Sequence, residues 1–301
     1  MITITSTADA PLRFDLRVAG VAAYLDNFAI LEFAKPYQAI RRERFVKALV
    51  KANGSLLISV TNCVELAALQ GRSAASVRSF LNELGVHWVP VELDPRKVMA
   101  REAQGRTENA CLAVDLMHAF FQDRTAELFA PKTIVDLSPE SFCQLGAIMD
   151  WMGERREKMT QNAEALDKIL FEVIQNLRAK YDADPKSIDH HLPPIPWDQR
   201  LPATFVWTHI NRGLVREAKG YRLKKGDGRD LCHAVVGAAY GSFAALDKHW
   251  KRRIEALPKP NALAKIYYAP ELDQLVADLE AYANAPVTMN PGSTVSTRKP
   301  S

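Results

Sequence analysis

The 301-residue chain has only four cysteines, Cys63, Cys111, Cys143 and Cys232, and no two of them form a CxxC pair. That scarcity argues against a zinc ribbon or a thioredoxin-like redox motif and leaves reduced, buried thiols as the expected state. No apolar run approaches the roughly 18 residues that a membrane span requires, and no basic segment followed by an apolar stretch opens the chain. A cytoplasmic protein without membrane contact is therefore expected. The phosphate-cradling GxxxxGK[ST] loop, the GxSxG elbow and the HExxH zinc motif are all missing, which removes the enzyme classes that depend on them. There is no internal repeat. Charge of one sign is lacking too: the formal net charge is +4, which permits a polyanionic partner without requiring one.

What is present is an ordinary globular composition, 48% hydrophobic and 25% charged, enough to build a core without disulfides or a structural metal. Residues 1–16 read as a loose, polar lead-in. The apolar run 18–25 predicts a buried strand that ends at Asp26, and Ala29, Ile30, Phe33 and Ala34 follow at helical spacing. Pro36 breaks that helix. Residues 37–51 resume as a basic amphipathic helix with Ile40, Phe45 and Leu49 as core candidates. Asn53-Gly54 marks a turn before a second strand over 55–60. Thr61 or Asn62 then caps a helix that carries Glu65 and ends at Gly71. A further helix over 73–84 and a third strand over 86–93 complete three strand–helix units, the pattern of a mainly parallel α/β sheet.

From 94 to 203 the pattern is helical only, with a stripe formed by Leu166, Ile169, Leu170, Val173, Ile174 and Leu177. It reads as a helical insert or a small second domain. Strand signal returns at 241–246 and 264–268, and the Pro/Ser/Thr-rich tail from 286 reads as disordered. The expected organisation is thus a discontinuous α/β core of residues 17–93 and 212–285, an insert of 94–211, and a tail of 286–301.

Four carboxylates stand at strand ends or helix starts. Asp26 follows the first strand, Glu65 lies early on the next helix, Asp230 opens an almost wholly apolar helix with Asp227 one turn before it, and Asp247 follows the short strand near 242–246. Parallel sheets present ligands at the carboxyl ends of their strands, so these acids can converge on one edge. Clustered carboxylates repel one another, and Mg²⁺ or Mn²⁺, which prefer oxygen ligands, would resolve that conflict and supply an activated water for phosphodiester attack. Each acid also has a plain alternative; Asp26, for instance, could simply cap the helix at Asn27. Basic residues flank two of the acids: Arg212, Arg216, Lys219, Arg222, Lys224, Lys225 and Arg229 before Asp230, and Lys248, Lys251, Arg252 and Arg253 after Asp247. They could bind phosphate or form solvated faces. His233 suits a core position more than a ligand, and His190-His191 suits the surface.

The segments Tyr24-Leu-Asp-Asn-Phe-Ala-Ile-Leu-Glu-Phe33, Ile58-Ser-Val-Thr-Asn-Cys-Val-Glu-Leu-Ala67, Gly226-Asp-Gly-Arg-Asp-Leu-Cys-His-Ala234 and Ala244-Ala-Leu-Asp-Lys-His-Trp250 resemble, in that order, the four acidic blocks of the PIN-domain nuclease family. Asn27 stands where the family commonly has a hydroxyl residue, and Ala245-Leu246 where it has Thr. The resemblance implies a PIN-like fold interrupted by the insert, an endoribonuclease activity with Mg²⁺ or Mn²⁺, and metal-site acids Asp26, Glu65, Asp230 and Asp247 with Asp227 auxiliary. Arg222, Lys224, Lys225, Arg229, Lys251 and Arg252 are the corresponding substrate-binding candidates. A toxin role, an inhibitory partner protein bound through the insert, or a homo-oligomer are further possibilities. The rival readings are a PIN-like RNA- or protein-binding scaffold with a degraded site, and a phosphatase for a small phosphorylated substrate.

Overall fold

The computed structural model describes residues 2–7, 10–18, 20–128, 144–217, 220–258 and 260–285; the expected tail, Cys143 and Lys219 lie outside them. Residues expected as a loose lead-in instead form an antiparallel hairpin of β1 (Ile2–Thr7) and β2 (Ala10–Leu16), with Ile4 opposite Phe14. The alternation Ile-Thr-Ile-Thr has the two-residue period of a strand.

The centre of the molecule is a five-stranded, all-parallel sheet: β3 (Ala22–Leu25), β4 (Ser55–Ser59), β5 (Trp88–Val91), β6 (Phe243–Ala245) and β7 (Lys265–Tyr267). Its spatial order is β5-β4-β3-β6-β7, so the order reverses between β3 and β6, and these pair with Leu25 opposite Ala245. Every residue of β3, β4, β5 and β6 is buried. Such continuous apolar runs are what a sheet covered on both faces demands.

Two apolar layers cover it. One face packs Phe33, Phe45, Phe80, Leu145 and Ile148 against Ala23, Leu25 and Ile58; the other packs Leu170, Ile174, Phe205, Leu231 and Val235 against Tyr24, Leu57 and Ala244. The long helical stretch therefore supplies residues to both layers. On the first face lie α1 (Asn27–Ala34), α2 (Ala39–Lys51), α3 (Val60–Leu66) and α4 (Gly71–Asn82). Four expectations shift here. Ser59 rather than Thr61 or Asn62 caps α3, closing a reciprocal box with Asn62. Gly71 opens α4 with φ +59° rather than ending α3. Ile40 is 77% exposed, because Phe45, Ala48 and Leu49 define the buried stripe of α2. Ile169 and Val173 are likewise exposed, leaving Leu170 and Ile174 to face the core.

The second face carries α5 (Pro95–Ala103), α8 (Arg156–Ala183), α10 (Pro202–Arg216) and α11 (Asp227–Tyr240), with α6 (Val114–Leu128), α7 (Leu145–Glu154) and α9 (Ser187–His191) between them in the chain. Buried Glu102 ties three of these together. It accepts from Ala203 N (2.7 Å), Thr204 N (2.9 Å), Thr204 Oγ1 (2.6 Å) and Tyr240 Oη (2.6 Å), satisfying the open N-terminus of α10. The chain closes with α12 (Lys248–Glu255) and α13 (Leu272–Asn284). No described helix is long and apolar enough to cross a membrane. Cys63, Cys111 and Cys232 are buried and free, and burial pushes the thiols of Cys63 and Cys111 up to about 12.

Candidate active site

The acids gather where the strand order reverses. Parallel sheets leave a crevice at the carboxyl ends of the two strands flanking such a switch, and Asp26 and Asp247 follow β3 and β6, those two strands. The Asp26 backbone N–H donates to Ala245 O at 3.0 Å, which fixes the two strand ends side by side. α11 adds Asp230. It is joined to β6 by Gly241 and Ser242 alone, so it must run back antiparallel to the strand, and its N-terminus lies at the same edge. Its close approach to the sheet depends on Gly237, where a Cβ would stand 2.8 Å from the Tyr24 ring.

The electrostatics follow from this crowding. Burial raises Asp230 to about 7, and the neighbouring Asp26, Asp247 and Asp227 add to it while Arg229 opposes. Asp26 is raised by burial, against the Asn27 N–H and Arg229. Asp247 is raised by burial and by Asp26. Asp26 is also a helix cap, accepting from Asn27 N at 2.7 Å, so the two readings of that residue coexist. Asp247 precedes α12, is exposed, and makes no side-chain cap bond to the helix.

Glu65 is placed differently from the other three. It is exposed on α3, and its carboxylate is paired with Arg229 at 2.7 Å and receives the Asn27 side-chain amide. Behind this pair runs a buried polar relay: Asn62 donates to Asn27 Oδ1 at 2.8 Å, and Tyr24 donates to Asn62 Oδ1 at 3.4 Å and contacts His233 Nδ1. His233 is buried, and burial lowers it to about 4, so it is a neutral core histidine. Asn27, which replaces the expected hydroxyl, therefore links Glu65 to the sheet.

Asp227 closes its own loop, accepting from Tyr221 Oη (2.8 Å) and Lys224 N (2.7 Å) through one oxygen. Of the basic candidates, Arg229 alone is at the acids. Arg222, Lys224 and Arg252 are exposed, Lys225 lies 3.7 Å from Glu164, and Lys251 is held by Glu271 at 2.5 Å and by Glu255. His190 and His191 are exposed, and among the described residues they belong to no group of three potential metal ligands.

Sequence reasoning missed Asp167, on α8. Its carboxylate accepts from Gly226 N (3.1 Å) and Arg229 N (3.0 Å), two N-terminal donors of α11. Nothing local in the sequence marks it, because its partners lie about sixty residues away. Tyr24 and Asn62 were missed for the same reason, although Ser59 and Asn62 carry a readable capping pattern.

As a cation site, the donor set fits in kind: the carboxylates of Asp26, Asp230 and Asp247 act on one another, with Arg229 near the first two, and hard divalent ions take oxygen ligands. Among the described residues, however, no three acidic, histidine or cysteine groups are spaced as the ligands of one ion. Comparison with family models, curated proteins and solved structures gives no match.

Proposed function

We propose that this chain is a metal-dependent endonuclease of the PIN type that hydrolyses phosphodiester bonds in RNA. The observation that carries the reading is the convergence of Asp26, Asp230 and Asp247 at the strand-order switch, where Asp26 adds to the raised carboxyls of both Asp230 and Asp247. Like charges held together in a folded site call for a counter-charge, and Arg229 supplies only one. Mg²⁺ or Mn²⁺ held by these three acids would lower the charge conflict, polarise the phosphate and activate a water.

The chain's own residues have separable tasks in this reading. Asp26 and Asp247 are fixed by the paired ends of β3 and β6. Asp230 is brought over them by α11, whose N-terminus Asp167 secures. Asp227 shapes the loop that leads into that helix. Arg229, paired with Glu65 and near Asp26 and Asp230, would supply a positive charge for a phosphate oxygen, and the Tyr24–Asn62–Asn27 relay holds Glu65 in place as its orienting partner. A cytoplasmic, toxin-like role and an inhibitory partner remain part of the same proposal as its possible setting.

The pairing of Glu65 with Arg229 favours a second reading, a non-catalytic scaffold that retains the fold and the acids but binds RNA or protein without cutting. One assay separates the two. Native protein and Asp26→Asn are incubated with single-stranded RNA and with a small phosphate monoester, with and without Mn²⁺, while Mn²⁺ binding is followed by calorimetry. Mn²⁺-dependent RNA cleavage lost in the variant supports the nuclease. Equal cleavage by both proteins overturns the acidic site, hydrolysis of the monoester alone points to a phosphatase, and Mn²⁺-independent RNA binding without cleavage points to the scaffold.

A further inference from the structure

The C-terminal parts of α10 and α12 enclose a cleft of about 310 Å³, lined by Arg212, Gly213, Arg216, Glu217, Arg253 and Leu257 among others. Three arginines thus line it against one glutamate. A fourth, Arg178, lies buried alongside and donates to Leu214 O at 3.0 and 2.8 Å, removing a carbonyl at the end of α10 from the surface that an anion would meet. Arg212 is anchored by Asp189 (2.7 Å) and by Leu192 O, and Arg253 by Glu217 (2.7 Å). These two form fixed walls. Arg216 is exposed, and among the described residues it makes no ion pair, so its guanidinium is available to a ligand.

Side-chain contacts lead from the cleft to the acids through Arg253, Tyr221 and Asp227. His249 lies two residues after Asp247 and stacks on the Tyr221 ring with centroids 4.5 Å apart and planes at 23°. Arg253 covers the same ring at 4.9 Å and donates to His249 Nε2 at 2.8 Å. On its other side the Tyr221 hydroxyl donates to Asp227 at the acidic edge. An aromatic pair therefore bridges from Asp227 and Asp247 to the arginines. Arginine forks match phosphate oxygens.

The geometry points to this cleft as the track for the phosphodiester backbone of a single-stranded nucleic acid, engaging nucleotides on from the one at the acids, with Arg216 as its free phosphate-binding group and the Tyr221–His249 pair as the fixed link between cleft and acids. The assignment rests on reading the acids as the cleavage site. It differs from the basic run at 222–225 in using residues from two helices that the sequence separates by some forty positions.

The test measures binding without divalent cation, so it does not depend on cleavage. A fluorescein-labelled RNA dodecamer and a dinucleotide are titrated by anisotropy against native protein, Arg216→Glu, and Arg72→Glu, an exposed charge control on α4, which packs against the opposite sheet face. Far-ultraviolet circular dichroism and melting verify that both variants fold. Arg216→Glu should weaken the dodecamer about tenfold and reduce the log–log salt slope by about 1, with the dinucleotide and Arg72→Glu unaffected. Equal weakening by both variants, unchanged dodecamer affinity, no RNA binding at all, or parallel loss of dinucleotide and dodecamer would each overturn the track, the last because it describes a pocket for a lone phosphate. Loss of the dodecamer effect with Asp26-dependent cleavage intact removes the track alone; the dodecamer effect without any cleavage removes the nuclease reading alone.

Discussion

Replacing Asp230 with asparagine should stabilise the metal-free protein above neutral pH while abolishing its activity. The folded-state value of this acid, about 7, lies above its ordinary 3.8, with burial as the first cause. Between those values the folded chain holds a proton that the unfolded chain has released, so stability falls as pH rises from about 4 to about 7 and stays low above that. At 1.36 kcal/mol per tenfold difference the gap has an upper bound of ~4 kcal/mol. Asp230 is partly exposed, and solvent screening reduces this to roughly 1–2 kcal/mol. Asparagine keeps the shape and removes the charge.

Differential scanning calorimetry in EDTA should therefore place the Tm of Asp230→Asn about 2–5 °C above native at about pH 8, with the gap shrinking toward about pH 5. His233 runs the other way. Its folded value, lowered by burial to about 4, makes it contribute stability that is lost as pH falls from about 6.5 toward 4. Both proteins share that contribution, so the difference between them cancels it. Adding Mn²⁺ at about pH 8 should raise the native Tm more than that of the variant, because only the native site keeps its full charge. A variant that melts lower than native at about pH 8, or a Tm difference that does not change with pH, would refute the account of three acids forced together.

Other consequences follow from packing. Gly228→Ala would put a methyl 2.8 Å from Asp167 O and 2.9 Å from Asp167 Oδ1; it should cost roughly 1–3 kcal/mol in urea unfolding and reduce RNA cleavage by displacing Arg229 and Asp230. Tyr24→Phe removes the hydroxyl that meets His233 and Asn62; with a buried imidazole left short of a partner, thermal unfolding should show a loss of roughly 1–3 kcal/mol, and the loss should shrink in a His233→Leu background. Glu102→Ala strands four donors on α10 and α11; a destabilisation of roughly 3 kcal/mol is expected from chemical denaturation, larger than that of Glu102→Gln.

The sheet was legible because its strands are buried on both faces and so appear as short apolar runs ended by polar or turn residues. Asp26 and Asp247 could be placed from that pattern alone, since each is the first acid after such a run. The hairpin of β1 and β2 escaped notice although its alternation is written in Ile2-Thr3-Ile4-Thr5, a period-two signal hidden by a polar, small-residue composition. Helix rotation was harder to read. In α2 the apolar positions Ile40, Phe45 and Leu49 cannot all face one way, and the packing partner Phe33 selects Phe45 over Ile40. Glu65 was placed on the right helix, but its commitment to Arg229 spans more than 160 residues and has no local signature.

The helical stretch between the two halves of the sheet contributes to the core in ways its sequence pattern does not display. Read as a pattern, residues 94–211 are helices with no motif, which is why they look like an insert. In the structure Leu170 and Ile174 share a core with Tyr24 and Val235, and one turn before Leu170, Asp167 takes the two N–H groups that hold Gly226 and Arg229. An acidic side chain at a helix N-terminus is favourable in itself, yet here it also stands near a helix that must present Asp230 to other acids. A neutral acceptor would bind those N–H groups with less added repulsion. By taking two of that helix's open N–H groups, Asp167 fixes the N-terminus of α11 and with it the place of Asp230. The stretch is thus bound into the site through a single residue whose role only the folded chain reveals.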